Sequence, residues 1–289
     1  MTIYLNGKFM PLEEAYIPVL DRGFIFGDGV YEVIPVYSKR AFRLAEHLKR
    51  LQASLDGIRL LNPHSESEWT KLITELIAHN TGEDQYLYLH ITRGVAKRDH
   101  AFPQPPVQPT VFMMSSPLLH PAAELLASGV SAVTAADNRW LRCDIKAISL
   151  LPNVLLRQMA VDAGCAETVL IRQPDTGDSF LTEGAASNII LIKNNILHVP
   201  PKNNLMLPGI TYDVVLELAA ANQIPFQVRK IAGAEVFDAD ELLLTSSTKE
   251  ILPITMLDGK PVGNGKPGPM FARLYALYQN FKREVMRQP

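Results

Sequence analysis

The sequence predicts a mixed α+β fold in two domains, and three observations carry that expectation. Apolar spacing switches back and forth between a period of two and a period near 3.6, so strands and helices alternate along the chain. At about 100–200 residues per domain, 289 residues suit two domains. A loop bracketed by Pro117 and Pro121 divides the pattern into halves. The expected division is an N-terminal domain over 1–116, a linker over 117–124 and a C-terminal domain over 125–289. Ligand sites favour the cleft between two such domains.

Each element has its own signal. The chain opens as strand, Asn6-Gly7 turn, strand, a strong hairpin cue. Residues 32–37 (EVIPVY) read as a strand in which Pro35 argues for an edge or a bulge. Leu44, Leu48, Leu51, Leu55 and Ile58 then fall at helical spacing, with His47 and Arg50 on the flank. A second helix turns Trp69, Leu72, Ile73, Leu76 and Ile77 inward. Strands follow over 86–94 and at VFMM, separated by the polar loop VAKRDHAF and a proline-rich run. In the second half, 130–135 suits a strand. Residues 150–163 suit a helix with Pro152 in its first turn and Gly164 behind it. Four short strands follow at 168–172, 180–183, 188–192 and 196–199. A helix over 211–221, a strand over 242–245 and a last helix from 270 to about 286 complete the chain; that helix is expected to bury Phe271, Leu274, Leu277 and Phe281.

Composition removes whole classes of function. Hydrophobic residues make up 47% and charged residues 20%, so the chain is neither disordered nor fibrous. No apolar run approaches the roughly 20 residues of a spanning helix. The N-terminus lacks a basic stretch followed by an apolar core, which leads us to expect a cytoplasmic protein. A net charge of −2 offers no global field for nucleic acid or an anionic membrane. Cys143 and Cys165 sit in no metal-ligand spacing, and no two of the seven histidines stand at i, i+4, so no metal is expected. GxGxxG, GxxxxGK[ST], HExxH and GxSxG are all missing.

Four places carry chemical potential, each with an ordinary alternative. Lys146 stands among apolar neighbours in CDIKAISLL; such surroundings favour the neutral amine that forms Schiff bases, although a lysine reaching out to water is commoner. LPGIT at 207–211 puts a glycine and a hydroxyl before a helix, where unpaired amides attract an anion or are merely capped. The hydroxyl cluster 245–248 (TSST) can cradle a phosphate or form a solvated turn. Glu183, in LTEGAASN, is a carboxylate beside small residues that let a flat ligand approach, or a solvated one. The loop Arg98-Asp99-His100 can take a carboxylate through charge-assisted hydrogen bonds, or be a charged loop tip.

In order along nearly the whole chain, DRGFIFGDGVYEVIPVY, HLKRL, TRGVAKRDHAFP, RWLRCDIKAISLLPNVLLRQMA, TEGAASNII, LPGIT and TSSTKEILPI resemble the class IV (fold-type IV) pyridoxal-phosphate aminotransferases. The resemblance implies a two-domain fold with pyridoxal 5′-phosphate in the interdomain cleft. It makes Lys146 the cofactor's Schiff-base partner and the catalytic proton carrier, and Glu183 the partner of the pyridine N–H. Arg50, Ile210, Thr211, Ser247 and Thr248 become the phosphate site. Tyr31, Arg98 and His100 resemble the substrate-carboxylate grip of the D-amino-acid aminotransferases, in which the Arg–His loop comes from a neighbouring subunit. A homodimer moving an amino group from a D-amino acid such as D-alanine to a 2-keto acid such as 2-oxoglutarate is thus expected.

The rival readings of the same fold are a branched-chain L-amino-acid aminotransferase and an aminodeoxychorismate lyase, both of which lack the Arg–His pair. A non-catalytic cofactor carrier is the remaining one, though a mere binder has no need of Glu183. One departure stands out: many relatives carry an arginine after PGIT, whereas this chain has Tyr212.

Overall fold

The structure, a computed structural model, describes residues 1–286. Its chain divides into two compact units. The first takes Met1–Leu119 together with Ile145–Leu150 and Met286, and the second takes His120–Asp144 and Leu151–Val285. Residues 287–289 of the expected second domain lie outside the described residues.

In the first unit, β1 (Thr2–Leu5) and β2 (Lys8–Pro11) form the expected hairpin. Asn6 and Gly7 both take positive φ, 47° and 91°, as the tight turn requires. Then come α1 (Arg22–Phe26), β3 (Gly29–Tyr37), β4 (Arg40–Ala41), α2 (Leu44–Gly57), α3 (Glu66–His79), β5 (Gln85–Thr92) and β6 (Thr110–Pro117). The six strands lie in the order β2-β1-β6-β5-β3-β4, all antiparallel. Pro35 shows why a proline is tolerated in β3. Its carbonyl accepts from Phe42 N on the β4 side, so the N–H it lacks would face the side where only two residues of β4 pair.

Strand alternation makes the sheet two-faced. Val30, Ile34, Leu87, Leu89, Ile91 and Met113 pack in one core with Leu48, Leu51, Leu55, Trp69, Ile73 and Leu76 of α2 and α3. The helical spacing read from the sequence is this buried stripe. A capping box starts α3: Glu68 N donates to Ser65 Oγ and Ser65 N donates to the Glu68 carboxylate. Tyr31, Val33, Tyr88, His90 and Phe112 stand half-buried on the other face.

Ile145–Leu150 differs from the expected boundary, which puts Lys146 with the C-terminal half. The reason is local. Tyr31 N donates to Lys146 O (3.0 Å) and Ile148 N donates to Gly29 O (3.1 Å), while Ile145 and Ala147 are buried in the first unit's core.

The second unit runs α4 (Ala123–Ser128), β7 (Val130–Ala136), α5 (Leu151–Asp162), β8 (Glu167–Arg172), β9 (Phe180–Gly184), β10 (Asn188–Lys193) and β11 (Ile196–Val199). It continues with α6 (Ile210–Ala221), β12 (Phe226–Val228), α7 (Gly233–Phe237), β13 (Glu241–Ser246), β14 (Glu250–Leu257), β15 (Lys260–Pro261) and α8 (Pro269–Phe281). Its sheet has the order β12-β11-β10-β13-β14-β7-β8-β9, with β15 on β14. β11–β12, β14–β7 and β7–β8 are parallel pairs. Val169, Ile189, Leu191, Leu242, Leu244, Leu252 and Ile254 fill its core.

The short elements α1, β4, α4, β12, α7 and β15 are absent from the sequence reading, and two longer ones also differ from it. β14 is a central strand that hydrophobic alternation does not reveal, because nearly every residue in EILPITML is buried and Pro253 interrupts it. Pro253 falls just before pairing with β7 begins at Ile254. The last α-helix ends at Phe281 and passes into wider π-type turns over Lys282–Met286; Phe271, Leu274 and Tyr278 are among its buried residues, while Leu277 and Phe281 are only half-buried.

Candidate active site

Lys146 is pinned by its backbone beside β3. Its carbonyl accepts from Tyr31 N and its own N–H donates to Ser54 Oγ (3.1 Å) on α2. The ammonium Nζ stands 4.2 Å from the centre of the Tyr31 ring. Among the described residues it forms no ion pair, so the amine is held by ring and backbone rather than by a carboxylate.

The residue after Tyr31 points to the opposite face and builds a second cluster. Glu32 is fully buried and accepts from Arg50 Nε and Nη2, both at 2.8 Å, and pairs with His47 Nδ1 at 2.8 Å. Burial pushes the Glu32 carboxyl up, but the Arg50 fork and His47 more than offset it and hold the group well below the usual carboxylate range. Burial likewise lowers His47, against the pull of Glu32, and its Nε2 has no hydrogen-bond partner. Arg50, one turn along from His47, thus commits Nε and Nη2 to Glu32, whereas the sequence reading expects its bidentate contact to be with a phosphate. Its partner Glu32 carries no signal of this role in the sequence.

Arg98 and His100 lie on an exposed loop of the same unit. The Arg98 guanidinium is 5.5 Å and the His100 ring 5.3 Å from the ring of Phe26.

In the second unit the centre is Glu183, 4% exposed at the end of β9. Arg139 Nη1 donates to its Oε1 at 2.5 Å, Asn188 Nδ2 to its Oε2 at 3.1 Å, and Leu207 N to both oxygens at 3.2 Å. Burial pushes the carboxyl up to about 7 against the opposing pull of Arg139 and Leu207. Arg139 is itself buried and forked onto Asp137, which also meets Arg172 (3.1 Å) and the Thr182 hydroxyl (2.7 Å). Sequence reasoning does not single out Arg139 and Asp137. Their only signal is an acid and a base at i, i+2 in the stretch DNRWLRCD.

Leu207 N joins the LPGIT stretch to Glu183, and Gly209 shows how tightly. A Cβ there would collide with Asn188 Oδ1, so any larger residue requires the Asn188 side chain to shift. α6 then starts at Ile210 with no side-chain cap, leaving its first amides, including Thr211, without a side-chain acceptor. Asn188 pairs across the sheet with Thr245, whose buried hydroxyl has no partner. Ser247 and Thr248 form the half-buried turn between β13 and β14. Tyr212, in place of the relatives' arginine, is buried and donates its hydroxyl to Pro200 O (2.9 Å), so it packs the core.

The family pattern described as "Amino-transferase class IV" matches residues 29–257. The match takes in Tyr31, Arg50, Arg98, His100, Lys146, Glu183, Thr211 and Thr248, while Phe26 falls outside it. The chain belongs to the class IV aminotransferases. It is 39% identical over 280 residues to the D-alanine aminotransferase of Bacillus licheniformis, covering 97% of this chain and 96% of the relative. It is 37% identical to the D-alanine aminotransferase of Staphylococcus epidermidis, covering 96% and 97%. Among solved structures, the branched-chain amino acid aminotransferase of Escherichia coli matches with a TM-score of 0.89 at 26% identity, over 96% of this chain and 93% of that one. The mixed α/β architecture expected from the sequence is therefore the class IV aminotransferase fold. Among the described residues, no group of three or more His, Cys, Asp or Glu is placed to hold a metal ion, and no helix is long and apolar enough to cross a membrane.

Proposed function

We propose that this class IV aminotransferase uses pyridoxal 5′-phosphate to move an amino group from a D-amino acid, such as D-alanine, to a 2-keto acid such as 2-oxoglutarate. The observation that carries the reading is Lys146, a backbone-pinned amine over the Tyr31 ring with no ion pair among the described residues. The relatives named for D-alanine support the donor class.

The residues present fit the cofactor. Arg139, Asn188 and Leu207 place three N–H donors on Glu183, the last shared between both oxygens, and a ring N–H would be a fourth donor to the same carboxylate. The uncapped amides of Ile210 and Thr211 and the unpartnered Thr245 hydroxyl suit a phosphate, with Ser247 and Thr248 as further donors; Arg50 is assigned to the phosphate by the resemblance alone. The cofactor supplies an aldehyde that captures amino groups and a protonated ring that accepts electron density from the substrate's Cα.

The chain's own residues do the rest. Lys146 Nζ would hold the cofactor and would serve as the base and acid that carries the substrate's Cα proton. Glu183 would hold the ring nitrogen protonated whenever its own carboxyl is ionised. Tyr31, Arg98 and His100 hold the substrate carboxylate and so select which enantiomer turns its Cα–H toward Lys146.

The working form is proposed as a cytoplasmic homodimer with no nucleic-acid or membrane partner. Leu151, Val154, Leu155 and Met159 are all exposed along α5, an apolar stripe suited to a second copy. Both cysteines are free, which suits a reducing compartment.

The deciding experiment titrates the yellow holoenzyme with D-alanine and, separately, L-leucine while following the cofactor's visible band. Bleaching by D-alanine alone supports the reading. Bleaching by L-leucine alone moves the protein to the branched-chain group, and no change with any amino donor revives a non-catalytic carrier.

A further inference from the structure

The loop that carries Arg98 and His100 has no regular structure, and residues 97–102 are exposed, yet its backbone is tied to a buried cation. Arg22, 4% exposed at the start of α1, donates from Nη1 to Asp99 O (2.6 Å) and Ala101 O (3.2 Å), and from Nη2 to His100 O at 3.5 Å. Three consecutive carbonyls thus converge on one guanidinium. The remaining nitrogen, Nε, donates to Asp28 (2.8 Å).

Asp28 is in turn gripped by Arg93 through Nε (2.8 Å) and Nη2 (2.9 Å), and Arg93 also donates to Ile58 O and Arg59 O. Arg22 is therefore anchored on its inner side by a carboxylate that is itself fixed to the end of α2. Phe26, one turn along α1, adds a ring against which Arg22, Arg98 and His100 all rest, at 4.8, 5.5 and 5.3 Å.

We infer that Arg22 is a positioning residue for substrate-carboxylate binding: it sets the backbone of 99–101, and Phe26 sets the side chains of Arg98 and His100. The inference rests on the proposed role of Arg98 and His100. A planar fork on three carbonyls cannot be copied by a lysine, whose single nitrogen keeps the charge beside Asp28 but reaches fewer acceptors. Small misplacements of a binding group are costly when the substrate is a small, rigid ion.

The test measures holoenzyme Arg22→Lys and Arg98→Ala with D-alanine and with (R)-1-phenylethylamine, an amine that has no carboxylate. Arg22→Lys should raise KM for D-alanine about ten- to a hundredfold while leaving the cofactor's visible band and the amine half-reaction unchanged. It should add little further in the Arg98→Ala background, because it acts through that residue. An unchanged KM, or parallel losses with D-alanine and the amine, overturns the inference; parallel losses mean Arg22 only supports the fold. If Arg22→Lys does not fold, Phe26→Leu carries the same comparison with the same two outcomes. Should Arg98→Ala leave KM for D-alanine unaltered, the carboxylate grip itself falls and Arg22 with it. A raised KM in Arg98→Ala but neither in Arg22→Lys nor in Phe26→Leu removes this inference alone.

Discussion

Arg139 Nη1 lies 2.5 Å from Glu183 Oε1, a buried ion pair in which each partner is held by further contacts. Asp137 keeps a second cation in Arg172, whereas Asn188 and Leu207, the other donors to Glu183, are neutral. Arg139→Met should thus strand a buried carboxylate, at a cost of about 3–5 kcal/mol or a protonated Glu183. Thermal unfolding reads the first outcome. A slowed half-reaction with D-alanine reads the second, because the role proposed for Glu183 at the ring nitrogen requires its ionised form. A variant with parental stability and rate would show that the pair does neither.

The same carboxyl sets a pH dependence. Its ordinary value is 4.5 and burial pushes it up to about 7, so between those values the folded chain binds more protons than the unfolded one. The stability this group contributes is therefore full below pH 4.5 and falls as pH rises toward 7, by up to about 3 kcal/mol. Melting the apoprotein and its Glu183→Gln variant side by side isolates the effect. The difference in Tm should shift against the parent across that window; a pH-independent difference would mean Glu183 is ionised throughout.

Lys146→Ala should abolish both turnover and the cofactor's visible band. The fold should survive, because the segment is held by the backbone bonds at Gly29 and Tyr31 rather than by the side chain. Near-normal turnover in this variant would remove Lys146 from the chemistry.

Gly209→Ala tests the link between the helix start and Glu183. The new methyl would collide with Asn188 Oδ1, displacing an amide that donates to both Glu183 and Leu207 O. A stability loss of about 1–3 kcal/mol and weaker cofactor retention are expected, read by melting and by equilibrium dialysis. Because φ at 209 is −71°, backbone strain is not the cause, and a silent substitution would show that Asn188 moves freely.

Local pattern and tertiary contact divide this protein cleanly. Helical spacing finds α2 and α3 because one face of each is buried, and the Asn6-Gly7 turn finds the first hairpin because few other residues take those angles. Alternation fails for β14, where both faces are covered and period two disappears. Lys146, Glu183, Ile210 and Thr211 are proposed for the site from the sequence because the runs around them, taken together and in order, resemble the class IV pattern, whereas each run alone has an ordinary reading. Glu32, Arg139 and Arg22 are not, since nothing local distinguishes a buried acid or arginine from a solvated one. Their partners are 18, 44 and 77 residues away. The order of residues thus determined the elements and the reactive groups, while only the folded chain decided which charges meet away from water, where a paired ion is stable and an unpaired one is not.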